Sequence, residues 1–152
     1  MMLALQQVAP KLKLTLGCST FVPKAHTPFQ WEGINKEADK RLKTLEKGLR
    51  RHGIQFRPES YKWSVVQGLI SRGDRRLTKL LMAAKDLGGS LSTFKRAAKE
   101  IPDLPPLEYY SHESYDPETS FLPWSHLHGP LPPRTLLKHY NESREIIEDE
   151  IR

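Results

Sequence analysis

A single cysteine, Cys18, stands among 152 residues. It excludes an internal disulfide, and it falls short of the several thiolates that a structural zinc site or an iron–sulfur cluster takes from a chain. No apolar run approaches the roughly 20 residues of a membrane-spanning helix. The opening MMLALQQVAPKLK lacks the h-region and the small-residue cleavage site of a secretory signal. A cytoplasmic location without a membrane partner is the expectation. No glycine-rich phosphate loop, nucleophile elbow or paired-carboxylate signature occurs, so the residues spell no complete active site.

What is abundant is proline, at 12 residues, and positive charge, with a net +6 and a pI near 9.5. The basic residues gather between Lys36 and Lys99, whereas the final NESREIIEDEIR is acidic. Such clusters are first of all the solvated faces of amphipathic helices. They also suit a polyanionic partner, because phosphate contacts dominate nucleic-acid affinity.

Lys11–Leu16 alternates as KLKLTL, with Leu12, Leu14 and Leu16 on one face, which predicts a strand. Asn35 suits the cap of a helix carrying Ala38, Leu42, Leu45 and Leu49 at helical spacing, stopped by Gly53. Ile54–Phe56 reads as a short second strand. Pro58 and Ser60 then start a helix over Tyr61–Arg72, with Val65, Val66, Leu69 and Ile70 inward. Asp74 caps another, with Leu77, Leu80, Leu81, Ala84 and Leu87 inward and Gly88-Gly89 closing it. A DNA-reading helix-turn-helix can be drawn over Arg72, Arg75, Arg76 and Lys79, yet nothing in the second helix specifies base readout. A shorter helix over Ser92–Glu100 follows.

From Ile101 to Pro133 periodicity stops and prolines, tyrosines and histidines take over. Tyr109, Tyr110, Tyr115, Phe121 and Trp124 are too many aromatics for a disordered linker, so this tail is expected to dock on the rest. His112, His126 and His128 raise a metal site, but no third ligand has a defined spacing and hydrogen-bonded packing histidines are favoured. Pro133 opens a closing helix through Leu136, Leu137, Tyr140, Ile146, Ile147 and Ile151.

Four sequence words, FVPKAHTPFQWEG, RRHGIQF, ISRGDRRLTKLL and FLPWSHLHGPLP, occur in that order. Together they resemble the C-terminal region of radical S-adenosylmethionine proteins that carry a B12-binding-like domain ahead of the catalytic barrel. The resemblance runs from about Leu12 to Tyr140. It implies that KLKLTLGCSTFVPK is the last strand of a partial TIM-like barrel and AHTPFQWEG the turn that leaves it. It further implies that Phe21, Val22 and Pro23 line the cofactor cleft and that His26, Gln30 and Trp31 face substrate.

The family's Cys-x3-Cys-x2-Cys cluster motif is missing, so the resemblance points to a part of an enzyme that is not catalytic alone. The [4Fe–4S] cluster and S-adenosylmethionine then belong to the parent enzyme, with B12 left open, and this chain holds no cofactor itself. Its partner would be the upstream barrel, in the same chain or as a split protein. The competing reading is a stand-alone module gripping RNA or another anion through Arg50, Arg51, Arg72, Arg75 and Arg76; the two agree if the parent modifies RNA.

The expected fold class is α+β, mostly α. It comprises a barrel strand and exit loop (1–33), a helical extension (34–100), a proline- and aromatic-rich wrapping segment (101–133) and a C-terminal helix (134–152).

Overall fold

The structure is a computed structural model describing residues 1–151, with side chains described through 147. In chain order it forms α1 (Met2–Val8), β1 (Thr15–Cys18), α2 (Ala38–Arg50), β2 (Gln55–Pro58), α3 (Tyr61–Arg72), α4 (Leu77–Asp86), α5 (Leu91–Lys99), α6 (Leu107–Ser111) and α7 (Pro133–Ile151). Among the described residues the fold is α+β and mostly α, with seven helices and one two-stranded sheet. No described helix is long and apolar enough to cross a membrane.

β1 and β2 pair in parallel, Thr15 opposite Gln55 and Cys18 opposite Pro58, with α2 as the crossover. The strand begins later than the alternation predicts. Lys11–Lys13 have no strand opposite them; the Leu12 N–H instead closes a turn onto the Ala9 carbonyl at 3.0 Å, and Leu12 is exposed. The chain enters α2 with the Asn35 side-chain oxygen accepting the Glu37 N–H at 2.8 Å. It leaves past Gly53, whose φ of +68° is strained for any other L-residue. Helix α1 was not foreseen; it buries no side chain and is tied to the body by Gln6 Nε2 donating to the His52 carbonyl at 2.8 Å.

Two cores organise the rest. In the first, Val66 and Leu69 of α3 meet Leu77, Leu80 and Ala84 of α4, Phe94 and Ala97 of α5, and Tyr110 of α6. Burying one such leucine or phenylalanine contributes about 1.5–3 kcal/mol, so this cluster dominates the stability of the helical body. The helical periods of α3, α4 and α5 therefore appear as expected, but the inward stripes are narrower. Leu45, Ile70, Leu81 and Leu87 face solvent, because nothing among the described residues packs over their side of each helix.

The second core joins the exit loop to the tail: Trp31 packs with Leu122, Trp124, Leu136 and Tyr140. The expected docking of the aromatic segment occurs through Tyr110, Trp124 and the half-buried Tyr115, while Tyr109 and Phe121 stay exposed. On α7, Leu136 and Tyr140 are buried and Ile146 and Ile147 are exposed; the Ile151 side chain lies outside the described residues.

Close approach of backbones fixes one glycine between these layers. A Cβ on Gly33 would collide with the His112 carbonyl oxygen, whereas a Cβ on Gly48, inside α2, would meet nothing within 4 Å. Gly33→Ala is therefore expected to destabilise the chain by about 1–3 kcal/mol through overpacking. Gly48→Ala is expected to stabilise it by about 0.5–1 kcal/mol through helix propensity. Chemical denaturation of the two variants checks both signs.

Candidate functional site

The loop after β1 makes most of its contacts with the tail. Gln30 is buried, and its side-chain oxygen accepts two hydrogen bonds, from the His26 N–H at 3.0 Å and from Trp124 Nε1–H at 2.8 Å. His26 adopts a φ of 57°, and its ring lies against Gly129, where a Cβ would come within 2.7 Å. Two of the sequence words thus meet face to face: AHTPFQWEG is bound to PWSHLHGP.

The next residues continue the contact as a ladder. The Tyr115 N–H donates to the Trp31 carbonyl at 2.7 Å, and the Ile34 N–H donates to the Ser111 carbonyl at 2.8 Å. The Glu32 carboxylate accepts from the Tyr140 hydroxyl at 2.7 Å and the Ser114 hydroxyl at 3.2 Å, and pairs with Arg144 at 3.4 Å.

Gln30 and Trp31, expected to face substrate, are therefore interior residues at 5% exposure each, taken up by the tail. With its amide oxygen taken by two donors, Gln30 offers a ligand no acceptor. His26 is half-buried and serves the same junction.

Arg72 departs further from expectation. Its side chain is fully buried, donating from one terminal nitrogen to the Tyr110 carbonyl at 2.7 Å and from the other to the Glu113 carbonyl at 2.6 Å. The guanidinium stacks 4.5 Å from the centre of the Tyr115 ring. Burial pushes its pKa down, opposed by the nearby Tyr115, Glu32 and Glu113. It holds the chain together and is closed to any external anion.

The other arginines remain at the surface. Arg76 forms a bidentate pair with Asp74 at 2.5 Å, and Arg76's hydrogen bonds hold the Asp74 carboxyl below the usual carboxylate range. The same carboxylate accepts the Arg76 backbone N–H at 2.9 Å in the turn ahead of α4, whose N-cap is Arg76 rather than the expected Asp74. Arg50 and Arg51, adjacent at the end of α2, and Arg75, in the turn before α4, are exposed.

A cleft of about 360 Å³ opens at the C-terminal end of β1, lined by Cys18, Ser19, Thr20, Phe21 and, from α2, Ala38 and Arg41. The Thr20 hydroxyl is buried here without a hydrogen-bond partner. Of the three residues expected along a cofactor cleft, Phe21 lines this opening, 58% exposed and edge-on to Phe29 at 5.8 Å. Val22 is half-buried, and Pro23 is buried with its carbonyl accepting the Ser71 hydroxyl at 3.2 Å. No three His, Cys, Asp or Glu side chains among the described residues group as metal ligands. His126 and His128 are exposed on the tail.

His112 lies at the junction of the tail with α3. Its Nδ1 is 2.6 Å from the Ser111 hydroxyl and its Nε2 is 3.0 Å from the Tyr61 hydroxyl. With the Ser111 proton on the Leu107 carbonyl at 3.1 Å, the hydroxyl accepts from Nδ1–H and Nε2 accepts from Tyr61, an arrangement that a neutral ring satisfies. Sequence reasoning favoured a hydrogen-bonded packing role for His112 over metal ligation; the Tyr61 partner, 51 positions away, has no local signal.

The chain matches no described protein family and no solved structure. Over 84 residues it is 30% identical to "Uncharacterized protein MJ0966" of Methanocaldococcus jannaschii, a match covering 55% of this chain and 19% of that protein. The chain thus spans about a fifth of the length of this relative.

Burial, followed by the Lys36 charge, holds the His112 pKa below its ordinary 6.5. The stability supplied by the neutral ring is fully present above about pH 6.5 and is lost as pH falls through the lower folded value. The denaturation midpoint should therefore drop between about pH 7.5 and pH 5, above the carboxylate range. His112→Gln should start less stable at neutral pH and show a shallower slope, as measured by urea denaturation across that interval.

Proposed function

We propose that this chain is the closing part of a radical S-adenosylmethionine enzyme. β1, α2 and β2 complete a parallel barrel whose remaining strands come from other residues of the same polypeptide or from a partner. The helical body and the tail cover its substrate side.

One observation carries this reading. A parallel pair joined by a crossover helix is a piece of sheet that elsewhere is buried on both faces within a larger array. Here β1 alternates between exposed and half-buried residues, and β2 is exposed at three of its four positions. Such a pair presents free edges that favour further strands. The order of the four sequence words supports the same conclusion.

The residues present fit the parts of the chemistry unequally. Ligands in open α/β sheets bind outside the carboxyl ends of strands, and the cleft after β1 offers the unpartnered Thr20 hydroxyl and the exposed Phe21 face. Thr20 and Phe21 would hold the edge of the cofactor that the barrel binds; Pro23, covered by Ser71, would only support them. The cluster does not fit this chain, since one thiol cannot supply three ligands. Its ligands must come from other residues, and the chain alone is not the catalyst.

The native polypeptide carrying these residues, enriched with an antibody against this chain, is expected to show a mass well above 17.5 kDa or to bring a stoichiometric partner. After reconstitution with iron and sulfide and reduction, it should cleave S-adenosylmethionine to 5′-deoxyadenosine. A 17.5 kDa chain without a partner and without cleavage would overturn the proposal.

A further inference from the structure

A second cleft, of about 590 Å³, lies between α3, α5 and α6. Its floor is apolar, built from Val65, Leu69, Leu91, Phe94 and Leu107. That volume is in the range of pockets that enclose small organic ligands. The walls are fixed in place. Arg72 holds the C-terminal end of α6 through the Tyr110 and Glu113 carbonyls, and the Ile34 N–H binds the Ser111 carbonyl.

Charge around the rim is uneven. Lys62 of α3 and Lys95 of α5 both line the cleft, and neither forms an ion pair or side-chain hydrogen bond among the described residues. Asp39 is already engaged by Lys43 at 2.5 Å, which leaves Glu108 as the one carboxylate on the rim without such a partner. His112 adds no charge while its Nε2 accepts the Tyr61 proton. Two free ammonium groups against one carboxylate favour a single negative charge and disfavour a second, since a dianion would meet Glu108 as well.

We propose that this cleft binds an amphipathic monocarboxylate, its apolar body on the α3–α5–α6 floor and its carboxylate between Lys62 and Lys95. The site is independent of the radical chemistry: it uses none of the residues at the end of β1.

The test is a methyl NMR titration of the 152-residue chain with decanoate, alongside decyl phosphate and decyltrimethylammonium. Saturable shifts confined to the Val65, Leu69, Leu91 and Leu107 methyls are expected for decanoate, with the cationic analogue at least about tenfold weaker. The double variant Lys62→Gln/Lys95→Gln changes two exposed side chains and should keep the spectrum of the free protein. It should weaken decanoate about tenfold, as loss of a charge-assisted contact does. Glu108→Gln should strengthen decyl phosphate relative to decanoate. Shifts that never saturate, equal binding of the cation, or a double variant that binds decanoate as the parent does would each overturn the assignment.

Discussion

Arg72 carries a charge into the interior with no carboxylate bonded to it, and the architecture of the tail follows from how that charge is satisfied. Its two terminal nitrogens take the carbonyls of Tyr110 and Glu113, and its face takes the Tyr115 ring. Charge-assisted bonds of this kind are worth about 1.5–3 kcal/mol each, and removing the donor leaves buried carbonyls unpaired. The guanidinium therefore dictates where α6 ends and how residues 110–115 run. Its Nε–H is left without a partner, so the satisfaction is strong and incomplete.

Once residues 111–115 are held, the loop after β1 has a surface to bind. Ile34 and Trp31 exchange backbone hydrogen bonds with it, Gly33 permits the approach to His112, and Gln30 and Glu32 reach beyond it to Trp124 and Tyr140. The stiff, polar, aromatic loop is thus explained by structure before chemistry. Phe29, Gln30, Trp31, Glu32 and Gly33 each have a partner among residues 114–140. This leaves the strand-end cleft, with Thr20 and Phe21, as the part of the region open to a ligand.

The helices α3, α4 and α5 were legible because local signals agree: Ser60 at a start, Gly73 and Gly88-Gly89 at the stops, and one apolar stripe each. The crossover unit was legible in part, as two short strands around α2, but not its parallel pairing, which no local pattern encodes. Arg72 was not legible at all. In SRGDRR it reads as one of three equivalent surface cations, and only acceptors 38 and 41 positions away make it an interior residue. The burial of Gln30 is hidden for the same reason, since its donor Trp124 lies 94 positions along the chain. Helix α1 was missed because it packs no side chain into a core and so lacks a decisive apolar stripe.

The central claim is that the helical body and its tail form the stable unit, while the parallel pair is sheet awaiting neighbours. Residue-resolved amide hydrogen exchange of the 152-residue chain tests it most directly. The account predicts slow exchange at Leu69 within α3 and at Ile34 and Tyr115, whose N–H groups join loop to tail. It predicts fast exchange at Gln55 and Glu59, whose N–H groups bond Leu14 and Cys18 across the parallel pair. Protection of Gln55 and Glu59 equal to that of Leu69 would contradict it.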